Sequence, residues 1–108
     1  MPETRVLEAG DILFMQWDRP SEFFILQEGE IELLCASQEF MGLDRSIIID
    51  KSARVCVIKG KAMLVGFSGM LTDPYICSAK ALSNCQVVSY NLPSAGILAF
   101  AQKDLSTT

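Results

Sequence analysis

The chain has 108 residues, half of them hydrophobic, with 9 basic and 13 acidic side chains, a net charge of -4 and a pI near 4.6. That length predicts a single domain, 1–108, around one modest core. The acidic balance and the lack of any Lys/Arg cluster argue against direct nucleic-acid binding, and no apolar run approaches the ~20 residues of a spanning helix.

There is no histidine. Its absence removes the commonest general base, the Ser-His and Cys-His nucleophile pairs, and imidazole metal ligands. The carboxylates are scattered over turns and strand faces, so no catalytic constellation forms and an enzyme is not expected. The four cysteines, Cys35, Cys56, Cys77 and Cys85, make no C-x-x-C pair and sit in or beside apolar runs. They read as buried thiols in a reducing cytoplasm rather than as disulfides or a zinc site. No metal and no cofactor is expected. The N-terminus carries no apolar signal region, and Met1 reads as a natural start.

In chain order, Val6-Leu7 leads into a turn at Glu8-Ala9-Gly10-Asp11 and a strand over Ile12 to Trp17. Asp18-Arg19-Pro20-Ser21 is a second turn. Phe23 to Leu26 is a short buried run, Gln27-Glu28-Gly29-Glu30 a hairpin turn, and Ile31-Glu32-Leu33 a half-buried strand continuing to Cys35. Residues 37–45 read as a loop or short helical turn, Ser46-Ile47-Ile48-Ile49-Asp50 as a β-branched strand, and Lys51 to Arg54 as a turn. Val55 to Ile58 is a strand, Lys59-Gly60-Lys61 a turn, and Ala62 to Val65 runs toward Gly66. Ser78 to Leu82 and Cys85 to Asn91 are two further strands joined at Ser83-Asn84. Pro93 suits a first helical turn, so Ala95 to Lys103 reads as a short helix with Ile97, Leu98 and Phe100 inward.

The stretch from Leu7 through Gly10-Asp11-Ile12, and then Glu22 to Leu33 about Gly29, is similar to the opening strands of cyclic nucleotide-binding domains. Gly66-Phe67-Ser68-Gly69-Met70 through Cys77-Ser78-Ala79 resembles that family's phosphate-binding cassette. The resemblance runs from about Val6 to Lys103 and implies a mainly β fold, a double-stranded β-helix or jelly-roll barrel with short flanking helices. In the family the cassette opens Gly-Glu, with the glutamate on the ribose hydroxyl, and ends Arg-Ser/Thr-Ala, with the arginine on the cyclic phosphate. Here Gly66, Ser78 and Ala79 match, but Phe67 stands at the glutamate position and Cys77 at the arginine position. Ser68 and the backbone N–H groups after it remain as an anion nest. Lys80, three residues past Cys77, is placed by strand alternation on the opposite face.

The resemblance therefore implies a divergent regulatory or interaction domain that does not bind cAMP or cGMP in the usual way. A second copy or another protein is the expected partner. The alternative is a genuine cyclic nucleotide or small-anion sensor that uses backbone amides and Ser78.

Overall fold

The computed structural model describes residues 2–65 and 74–91. Within them the strands are β1 (Glu3–Leu7), β2 (Ile12–Phe14), β3 (Glu22–Glu28), β4 (Glu30–Cys35), β5 (Ala53–Lys59), β6 (Met63–Val65), β7 (Ser78–Ala81) and β8 (Cys85–Asn91). A 3-10 turn (Gln38–Phe40) and a short helix α1 (Arg45–Asp50) lie between β4 and β5. The strands form two antiparallel four-stranded sheets, β1-β8-β3-β6 and β2-β7-β4-β5. This is the jelly-roll architecture the sequence predicts, built as two facing sheets with open edges rather than as a closed barrel. The helix expected over 95–103 lies outside the described residues.

The inner faces meet in one core of Phe14, Phe24, Leu26, Ile31, Val65, Tyr75, Ala79, Ala81, Cys85 and Val87 with Leu7 at its margin. Alternation puts these side chains inward, since successive strand residues point to opposite faces. In β8, for example, Cys85, Val87 and Ser89 are buried while Gln86 is exposed.

Four expectations need correction. Gly29 is not a hairpin turn. β3 pairs with β8 and β6, and β4 pairs with β7 and β5, so the chain crosses from one sheet to the other at Gly29. A tight hairpin needs a loop of at least about two residues, and Gly29 alone separates β3 from β4. The run Ser46 to Asp50 is helical, not a strand. Its isoleucines lose at most about 0.7 kcal/mol each in helix propensity, while burying Ile48 against Met15 and Ala36 returns about 1.5–3 kcal/mol. The first turn closes through Ile48 N–H on the Asp44 carbonyl at 3.0 Å. The strand predicted from Ile12 to Trp17 stops at Phe14, because Met15 turns to the outer face of the second sheet and Trp17 takes a φ of 75°. The thiols are not uniformly buried. Cys85 is buried, Cys35 and Cys77 are half-buried, and Cys56 is exposed on the edge strand β5.

α1 and the 3-10 turn cover the outer face of the second sheet and make a second small core of Met15, Ala36 and Ile48, flanked by Ile12, Trp17, Phe40 and Ile49. At one end of the sandwich the crossover at Gly29 meets the corner between β7 and β8. Gly29 has φ 98°, and a Cβ there would lie 2.5 Å from the Asn84 carbonyl oxygen and 2.6 Å from Cys85 Sγ.

Gly29 and Gly10 separate strain from crowding. Gly10 has a similar φ of 96° but nothing within 4 Å of an added Cβ. Gly10→Ala is expected to lower the unfolding free energy by about 1 kcal/mol, and Gly29→Ala by about 2–4 kcal/mol. Urea denaturation of both variants checks this, and equal losses would rule out the close packing at Gly29.

Candidate functional site

The segment entering β7 is held to the loop after β2 by backbone pairing. Tyr75 N–H donates to the Asp18 carbonyl at 3.0 Å, and Trp17 N–H donates to the Tyr75 carbonyl at 2.9 Å. This directs the Tyr75 ring inward, where it is 4% exposed. It stacks on Phe14 with centroids 4.0 Å apart, and Phe14 lies 6.0 Å from Phe24 in a near-parallel arrangement. An aromatic column thus occupies the space between the sheets beside the start of β7.

The Tyr75 hydroxyl donates to the Glu22 carbonyl at 2.5 Å. The Glu22 carboxylate in turn accepts from Arg5 Nη2 at 2.9 and 2.7 Å, and from the Ser89 hydroxyl. Arg5 also lies 5.7 Å from the Phe24 ring centre, within cation–π range. This network ties β1, β8 and β3 to the segment entering β7, so its cation is engaged in holding the sheet. Burial first, and then the Glu22 carboxylate, push the Tyr75 phenol up to about 12.

Of the predicted cassette residues, Gly66, Phe67, Ser68, Gly69 and Met70 lie outside the described residues, and Cys77, Ser78 and Ala79 lie within them. Ala79 is fully buried in the main core. Ser78 is also fully buried but faces the other way, toward Met15 Sδ at 4.0 Å. Its hydroxyl oxygen accepts from Gln16 N–H at 2.9 Å. Gln16 then bridges to β4's end, its Oε1 accepting from Ala36 N–H at 2.8 Å and its Nε2 donating to the Ala36 carbonyl at 3.2 Å. Serine at this position therefore completes a buried network. Cys77 Sγ lies 2.8 Å from Cys35 Sγ, and the Cys35 thiol also donates to the Ile76 carbonyl at 2.9 Å. Burial, and next the hydrogen bond with Cys35, push the Cys77 thiol up to about 12, so it is uncharged at neutral pH.

Lys80 lines an open cleft of about 590 Å³ with Gly10, Ile12, Arg45, Ser46, Ile49 and Asp50 on the α1 side of the second sheet. Strand alternation placed it on the face opposite Cys77, and its position beside Ile12 agrees. Sequence reasoning missed the Cys35–Cys77 contact, the Arg5–Glu22–Ser89 network and the role of Gln16. All three join residues far apart in sequence, and no local pattern signals them. Among the described residues, no group of three or more His, Cys, Asp or Glu is placed to hold a metal, and no helix is long and apolar enough to cross a membrane.

Ser78→Ala leaves the buried Gln16 N–H without its acceptor and is expected to lower stability by about 1–3 kcal/mol in urea unfolding. A loss under about 0.5 kcal/mol would mean that the Ser78–Gln16 bond contributes little. Tyr75 also predicts an alkaline limit. A phenol raised from its ordinary 10.0 to about 12 keeps its proton in the folded state while the unfolded chain loses it. The stabilisation is complete below pH 10 and disappears as pH rises through 12, and Cys77, raised from 9.0, acts in the same direction. Tyr75→Phe should flatten the fall in thermal midpoint over that range; an unchanged slope would contradict it.

The family model for the cyclic nucleotide-binding domain matches residues 4–104. A search of curated proteins finds no match. Among solved structures, the N-terminal domain of a transcriptional regulator from Streptomyces coelicolor A3(2) superposes with a TM-score of 0.68 at 17% identity, covering 98% of this chain and 67% of that one. The sensor domain of the transcriptional regulator DNR from Pseudomonas aeruginosa gives 0.69 at 15% identity, covering 94% and 63%. The regulatory subunit of a cAMP-independent protein kinase A from Trypanosoma brucei, a triple mutant bound to cAMP in its A site, gives 0.68 at 16% identity, covering 99% and 37%. The chain thus spans about two thirds or less of the length of these three. With the matched region running through both sheets, the chain belongs to the cyclic nucleotide-binding domain family.

Proposed function

We propose that this domain is a non-enzymatic regulatory or interaction module that keeps the family's fold but does not take cAMP or cGMP in the family's usual way. The supporting observation is Cys77 at the cassette's arginine position. It offers an uncharged thiol, hydrogen-bonded to Cys35, where the family places a guanidinium. A guanidinium–phosphate pair is charge-assisted and often bidentate, worth about 1.5–3 kcal/mol per bond. Two such bonds amount to roughly a hundredfold to ten-thousandfold in affinity.

The neighbouring groups add support. The Ser78 hydroxyl is already engaged by Gln16 N–H, and the Tyr75, Phe14 and Phe24 side chains are packed between the sheets.

 The Phe24 ring closing that column is only 2% exposed. The kinase relative gives a parallel: it is named as cAMP-independent, and the form bound to cAMP is a triple mutant in which one change introduces an arginine. The regulators among the solved structures support a signalling role, with a second copy or another protein as the partner class.

Calorimetric titration with cAMP and cGMP tests this reading. The natural chain should give no heat at millimolar ligand, and Phe67→Glu combined with Cys77→Arg should bring binding into the micromolar range. Micromolar binding by the natural chain would overturn the proposal and favour a sensor that works through backbone amides.

A further inference from the structure

We propose that Cys35 and Cys77 form an oxidative modification site, a dithiol that converts to an intramolecular disulfide between the end of β4 and the segment entering β7. The β4–β7 ladder pairs Leu33 with Ala79 and Leu34 with Ser78. One further step in the same register sets Cys35 opposite Cys77. Directly opposed residues of an antiparallel pair have Cα atoms about 4.5–5.5 Å apart, inside the roughly 4.4–6.8 Å that a disulfide spans. The two Sγ atoms already touch at 2.8 Å, and both cysteines are free and half-buried, open to a small oxidant.

The other thiols are placed differently. Cys85 is buried at the opposite end of the sandwich, where its thiol lies 3.2 Å from the carbonyls of Glu30 and Ser83. Cys56 is exposed on β5 and pairs in register with Leu33, not with either member of the pair. The proposal rests on the β4–β7 register and stands whether or not the domain takes a nucleotide.

With hydrogen peroxide as oxidant the chemistry balances. One thiol gives up its proton and its sulfur attacks a peroxide oxygen. The O–O bond breaks, one water leaves, and a sulfenic acid remains. The second sulfur attacks the sulfenic sulfur, the S–O bond breaks, a second water leaves, and the S–S bond forms. Two thiols supply two electrons, and one peroxide accepts them. Because Cys77 holds its proton at neutral pH, the step is slower than at an exposed thiolate and calls for sustained exposure.

The test is peptide mapping by mass spectrometry of the full chain after peroxide treatment and alkylation, without reduction. The expected product is one peptide pair joined through Cys35 and Cys77, released by dithiothreitol, with Cys56 and Cys85 absent from it. Oxidation should also raise the thermal midpoint by several degrees, a shift that Cys35→Ser abolishes. Links through Cys56, or sulfinic acid at Cys35 or Cys77 with no link between them, would overturn the proposal. The mapping uses the natural chain, so it decides the matter even if the serine variant fails to fold.

Discussion

Three corners of the chain meet at one end of the sandwich, and the register of both sheets depends on that meeting. Glu30 N–H donates to Ser83 Oγ at 3.1 Å, and the Glu30 carbonyl accepts from Leu82 N–H at 2.9 Å. Gly10 N–H reaches the Ala81 carbonyl, and Ala81 N–H reaches the Asp11 carbonyl, both at 2.8 Å. The chain changes sheet at each of these corners, from β1 to β2, from β3 to β4 and from β7 to β8. These backbone groups, on leaving one ladder, are taken up by a neighbouring corner, which avoids the cost of leaving them unpaired. Gly29 is required because the Asn84 carbonyl leaves no room for a side chain.

The opposite end is closed by side chains. Gln16 uses both ends of its amide on Ala36, and its own N–H is taken by Ser78. Tyr75 caps the column of rings and reaches Glu22 through its hydroxyl. The segment entering β7 is therefore anchored through hydroxyl and thiol groups that are already partnered within the protein. A ligand arriving there would meet neutral, engaged groups, and that is the physical basis of the proposal that this domain does not take cAMP or cGMP in the family's usual way.

The segment between β4 and β5 shows how tertiary packing overrides local preference. Three consecutive isoleucines favour a strand, yet one helical turn directs Ile48 into the second small core and sets Ile49 at its edge. The same segment supplies Arg45, Ser46 and Asp50 to the cleft beside Lys80. The charge of that cleft is mixed, with Arg45 and Lys80 beside Asp50.

Most of the strands and the places where the chain turns were legible in the sequence, because period-two alternation and glycine placement are local properties; the Arg45–Asp50 helix and the end of β2 at Phe14 were not. So were the missing histidine and the uncharged residues at positions 67 and 77, since composition and spacing need no fold. Partner choice was not legible. Alternation marks β3 and β4 as strands but carries no information about which edges they join, so a sheet crossover at Gly29 reads the same as a hairpin. The contact of Cys35 with Cys77 and the burial of the Ser78 hydroxyl likewise depend on the β4–β7 register, which only long-range packing sets. Local sequence decides what each segment can be, and the competition for buried surface and hydrogen-bond partners decides what it meets.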